Sequence, residues 1–127
     1  MRIFKSTWFT RFASKEGITD NELKDAVNLL EAGQVDANLG GNVYKVRIAR
    51  KNKGKSGGYR VILLYRNGEK SFYMYGFAKS DRSNISRKEL LKLKKQAASL
   101  FSMTDAQITT ALMEKIFNEI QEVCHER

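Results

Sequence analysis

Four consecutive apolar residues, Val61-Ile62-Leu63-Leu64, sit inside a segment bounded by Arg60 and Arg66. Successive side chains of an extended chain point to opposite faces, so this run is stable only as a strand covered on both sides. The chain must therefore supply a layer for each face of a sheet, and this strand belongs at the sheet's centre. Its partners are local. Upstream, Tyr44, Val46 and Ile48 alternate with Lys45 and Arg47, the pattern of a strand with one buried face. Downstream, Asn67-Gly68 is a two-residue hairpin signal, because both residue types tolerate positive φ. The strand after it, Ser71 to Lys79, is expected to carry Tyr73, Tyr75, Phe77 and Lys79 on one face. Two successive hairpins predict an antiparallel meander of at least three strands.

The covering layers are announced by helix caps. Thr19-Asp20-Asn21-Glu22 is a capping box, in which the hydroxyl accepts from a free amide while the glutamate reaches back to the cap. It opens a helix with Leu23, Ala26, Val27 and Leu30 on one side, stopping near Gly33. Ser86-Arg87-Lys88-Glu89 repeats the device before Leu90, Leu93, Ala97 and Leu100, with Lys88, Lys92 and Lys95 as an outer basic stripe. Thr104-Asp105-Ala106-Gln107 is a third box, and Ile108, Leu112, Ile116 and Ile120 after it predict a final helix. A shorter helix from Ser6 presents Trp8, Phe9, Phe12 and Ala13 and stops at Gly17. Residues 3–5 are expected to start an edge strand. Proline is absent, so turns fall to glycine and asparagine, as at Gly40-Gly41. The chain has no internal repeat, and its 127 residues suit one α+β domain, 1–127, with an acidic helical extension over 103–127.

Charge narrows the function. Between Asp36 and Glu69 stand eight basic residues and no acid, in a chain of net charge +9. Like charges so concentrated are tolerable where a polyanion supplies the opposite sign, which points to nucleic acid, a ribosomal surface or an acidic protein. Lys45, Arg47, Arg50, Lys51, Lys53 and Lys55, on the strand and glycine loop before the central strand, read as an RNA-binding surface. Tyr73 and Tyr75 offer rings on which bases could stack. Arg60, read as the start of the central strand, is expected to meet Lys79 and Arg82 at the exit of its neighbour.

Several chemistries are disfavoured. Gly54-Lys55-Ser56 lacks the P-loop's earlier glycine, since Ala49 occupies that position, and a strand follows where a helix is needed. Cys124 and His125 stand alone near the end of the chain, so no metal site or cofactor is expected. The single histidine also removes the usual neutral-pH acid–base pair. One cysteine forms no internal disulfide, no apolar run is long enough to span a membrane, and Met1-Arg2-Ile3-Phe4-Lys5 lacks signal-peptide features, so a cytoplasmic protein is expected.

Three runs carry a resemblance: Lys45-Val46-Arg47-Ile48-Ala49-Arg50, Gly54-Lys55-Ser56-Gly57-Gly58-Tyr59-Arg60, and Tyr75-Gly76-Phe77-Ala78-Lys79-Ser80-Asp81-Arg82-Ser83-Asn84-Ile85. With Arg2-Ile3-Phe4-Lys5 and Trp8-Phe9 they resemble the RelE/HigB-type toxins of bacterial toxin–antitoxin modules. The resemblance implies a compact fold with two N-terminal helices on a small antiparallel sheet, C-terminal helices, and a metal-independent endoribonuclease acting on messenger RNA at the ribosome. It implies catalytic roles for Arg60, Lys79 and Arg82, and an antitoxin partner of helix-turn-helix type. Some members use a tyrosine near the C-terminus; this chain has none there, and Tyr75 is the substitute. The ParE-like branch shares the fold and poisons DNA gyrase, and a plain RNA-binding module is a further alternative.

Overall fold

The computed structural model describes residues 1–34, 37–50, 54–78 and 84–120, with backbone alone at residues 50 and 54–57. The elements run β1 (Arg2–Ser6), α1 (Thr7–Glu16), α2 (Asp20–Glu31), β2 (Ala37–Gly40), β3 (Val43–Arg50), β4 (Gly54–Tyr65), β5 (Lys70–Ala78), α3 (Arg87–Phe101), α4 (Asp105–Met113) and β6 (Phe117–Glu119). The described strands form one sheet in the order β2-β3-β4-β5-β1-β6. It is an α+β fold, with β4 near the middle as the apolar run requires.

Each face of β4 meets its own core. Val61, Leu63 and Tyr65 pack with Phe9 and Ala13 of α1 and Leu23, Ala26, Val27 and Leu30 of α2. Ile62 and Leu64 pack with Leu93, Ala97, Leu100 and Phe101 of α3 and Ile108 and Ala111 of α4. The helices begin where the sequence marks them. Thr19, Ser86 and Thr104 all close complete capping boxes. Gly17 ends α1 at φ 73°, a left-handed conformation that costs glycine nothing. Lys88, Lys92 and Lys95 stay exposed along α3. Among the described residues no helix is long and apolar enough to cross a membrane.

The structure departs from the sequence reading in several places. β1 is not an edge strand: it lies between β5 and β6, parallel to the first and antiparallel to the second, so the sheet is mixed. β2 adds an unanticipated antiparallel edge beside β3. Arg60 does not begin β4. The strand starts at Gly54, which pairs with Arg50, leaving Arg60 in mid-strand. At the Asn67-Gly68 turn only Gly68 enters positive φ, and Glu69 N–H donates to the Arg66 carbonyl at 3.0 Å, so both-positive hairpin geometry is not used.

The last helix is also shorter than its isoleucine spacing predicts. Lys115 takes φ 60°, Ile116 N–H donates back to the Ala111 carbonyl at 2.9 Å, and the chain returns as β6. Phe117 and Ile120 then bury on opposite cores, while Ile116 is left exposed. Satisfying the outer backbone of β1 outweighs continuing an amphipathic helix. Arg2 clamps the join by donating to both Glu119 carboxylate oxygens at 2.8 and 2.9 Å. The rest of the acidic segment, residues 121–127, lies outside the described residues.

Candidate functional site: a cationic and aromatic sheet face

Residues opposite one another in an antiparallel ladder share a face. Lys45 pairs with Ile62 and Arg47 with Arg60 across β3 and β4; Ile62 pairs with Tyr75 and Arg60 with Phe77 across β4 and β5. Ile62 belongs to the core under α3 and α4. Lys45, Arg47, Arg60, Tyr75 and Phe77 therefore lie on that same side. The neighbouring row, Val43-Leu64-Phe72, is packed into the α3/α4 core. The next two rows lead away from it and become cationic and aromatic.

This arrangement depends on a bulge. Between Leu63 and Ile62 the partner positions jump from Tyr73 to Tyr75, so Met74 is the extra residue. A one-residue insertion reverses the facing of everything beyond it. Tyr73 and Tyr75, read from the sequence as sharing a face, are thereby separated. Tyr73 turns to the α1/α2 core, fully buried, with its hydroxyl donating to the Leu23 carbonyl at 2.6 Å. Burial also pushes its phenol pKa far above the ordinary range. Tyr73 is a core residue that offers no stacking face and no proton at neutral pH. Tyr75 goes to the opposite side, where its ring lies 6.3 Å from Phe77 and 4.4 Å from Trp8.

Arg60 is 6% exposed, Lys45 is half-buried and Arg47 is exposed. Directly paired antiparallel residues sit about 4.5–5.5 Å apart at Cα, and like charges there repel. Arg47 and Arg60 thus bring two cationic side chains to directly paired positions on one face. Guanidinium forks match phosphate oxygens bidentately. Ala78 closes β5 opposite Tyr59, next to Arg60 in the ladder. Of the other sequence-predicted residues, Lys51, Lys53, Lys79 and Arg82 lie outside the described residues, and Arg50 and Lys55 are described by backbone alone. The face thus brings together Lys45, Arg47, Arg60 and Tyr75 from that set. Among the described residues no three histidine, cysteine, aspartate or glutamate side chains cluster as metal ligands.

The sequence reading missed the residues that flank Tyr75. α1 lies along β5 beyond the reach of β1, and a cleft of about 430 Å³ opens there, lined by Trp8, Arg11, Phe12 and Lys15 together with Tyr75 to Ala78. Trp8 stacks on Phe12 at 5.3 Å, and Phe12 meets the edge of Tyr59 at 5.7 Å. A glycine within an aromatic strand was the available signal, since it marks a close approach. A Cβ at Gly76 would stand 2.7 Å from Phe12 Cε2. Gly76→Ala is expected to displace the Phe12 ring and cost about 1–3 kcal/mol, as overpacking does, measured by urea denaturation against the parent. An unchanged midpoint would show that Phe12 yields freely.

Comparison with known proteins adds one match. The family model described as the RelE toxin of the RelE/RelB toxin–antitoxin system fits residues 1–120. No curated protein matches the sequence.

Proposed function

The chain belongs to the RelE toxin family, and on that premise we propose that it is an endoribonuclease that cuts messenger RNA during translation. A toxin of such a system has an antitoxin partner, which we take to be a small helix-turn-helix protein. The observation that carries the enzymatic reading is the facing Arg47–Arg60 pair with Phe77 and Tyr75 beside it on one sheet face. Two forks for a phosphate next to rings for bases suit a ribose–phosphate chain better than an isolated anion.

In the proposed reaction the 2′-hydroxyl attacks the adjacent phosphorus. The new bond is P–O2′, the broken bond is P–O5′, and the products are a 2′,3′-cyclic phosphate and a 5′-hydroxyl. Arg60, with Arg82, holds the non-bridging oxygens and neutralises the charge that grows on them. Lys79 is assigned the proton transfer, taking the proton from the attacking 2′-hydroxyl and returning one to the departing 5′-oxygen. Lys45, Arg47, Arg50, Lys51, Lys53 and Lys55 draw and align the message. This apparatus has no histidine pair, so it leans on positioning, which contributes about 7–11 kcal/mol when the reacting geometry is held. Free RNA is too flexible to hold it, whereas a ribosome presents the message in one pose. Metal independence follows from the cationic character of the face, which repels a divalent ion.

Induction in a bacterium tests the proposal. Growth arrest with messages cut in coding regions and chromosomal DNA intact is expected. DNA breaks with intact messages would replace it with gyrase poisoning, and unimpaired growth with a non-catalytic RNA-binding module.

A further inference from the structure

β1 pairs with β5 only as far as Tyr73, after which Ser6 caps α1 and donates to the Met74 carbonyl at 3.0 Å. The rest of β5 is therefore flanked by a helix rather than a strand. The side chains α1 brings to the cleft are aromatic and cationic. The Met74 bulge turns Tyr75 so that its ring spans the gap between the cationic face, through Phe77, and the cleft, through Trp8. A continuous row of rings thus leads from the residue opposite Arg60 to an indole that is 44% exposed. Arg11 and Lys15 rim the cleft. Glu16, the acid among the lining residues, accepts from the Tyr59 hydroxyl at 2.7 Å.

An exposed indole beside Tyr75 and Phe12, with cations at the edge of the cleft and the Arg47–Arg60 face adjoining, matches an unpaired nucleotide. Every base offers a π-face, and the flanking phosphates meet the cations. We propose that this cleft is a nucleobase subsite: Trp8, beside Phe12 and Tyr75, stacks a base of the message adjoining the scissile linkage, while Arg11 and Lys15 face its phosphates. The inference rests on reading the chain as an RNA-cutting toxin, and it names the part of the RNA that this neighbouring cleft takes.

Trp8 is the only tryptophan in the sequence, so its emission reports on the cleft directly. The full-length protein is titrated with a fluorescently labelled 2′-O-methyl trinucleotide, which cannot be cut, and with the same molecule lacking one base. The complete trinucleotide is expected to quench Trp8, and the abasic one to bind about 5- to 150-fold more weakly with little quenching, as loss of one base–aromatic stack implies. In a translation reaction Trp8→Ala should lower cleavage by a similar factor, with Trp8→Phe recovering most of it. Binding seen by label anisotropy without any change in Trp8 emission, together with unimpaired cleavage by Trp8→Ala, overturns the subsite and leaves the ribonuclease reading standing. Quenching by the trinucleotide from a protein that never cuts messages keeps the subsite and removes that reading. A Trp8→Ala variant that cuts normally but escapes its antitoxin also overturns the subsite, making the cleft a protein-docking surface.

Discussion

Arg60→Ala is expected to lower message cleavage by at least about 10²- to 10³-fold, the effect of deleting one preorganised donor from a transition state, and with it to relieve growth arrest. The size follows from where Arg60 sits. It is held in the middle of a central strand, nearly excluded from water, with Arg47 on one side and Phe77 on the other. A guanidinium fixed this way needs no reorganisation as charge develops on phosphate oxygens. Lysine at the same position keeps the charge and loses the fork, so Arg60→Lys should recover only part of the rate. Thermal melting of the alanine variant checks that it is folded, so that lost cleavage is read from an intact protein. A folded Arg60→Ala protein that still arrests growth would take Arg60 out of the mechanism.

The second large effect concerns stability. Phe72→Ala is expected to cost about 3–5 kcal/mol, the range for emptying a buried aromatic site. Phe72 is completely buried and touches three other rings, stacking on Phe4 at 5.0 Å and meeting Phe101 at 5.6 Å and Phe117 at 5.4 Å. Those partners come from β1, α3 and β6, so this ring, with Ile62 and Leu64, helps hold the C-terminal elements to the sheet. Domains of this size are stable by about 5–15 kcal/mol, which makes the loss a large share of the total. Urea denaturation measures it. A loss below about 1 kcal/mol would mean that the cluster refills the space, and that α3, α4 and β6 are anchored elsewhere.

What was legible in the sequence is what local chemistry decides. Capping boxes at Thr19, Ser86 and Thr104 involve residues three apart and hold in any context that permits a helix. The doubly apolar run of β4 could be satisfied only between two layers. Pairings between distant segments were not legible. β1 finds β5 and β6 across most of the chain, and nothing in residues 2–6 records which edges will be free. The same holds for the Met74 bulge. Tyr73, Tyr75 and Phe77 alternate as a regular strand would, and the register jump arises only against β4. The bulge in turn decides the site, sending Tyr73 into the core and Tyr75 to Trp8. Arg60 stood out in the sequence by its charge and position, but its burial in mid-strand was not legible. That burial follows from β4 extending back to Gly54.

The most direct measurement is the chemistry of the RNA ends left in a reconstituted translation reaction supplied with the purified protein. Cuts confined to codons in engaged ribosomes, bearing 5′-hydroxyl and 2′,3′-cyclic phosphate termini, with the same message left whole when free in solution, are the expected result. Messages that stay intact on the ribosome, or cuts that carry 5′-phosphate ends, would contradict it.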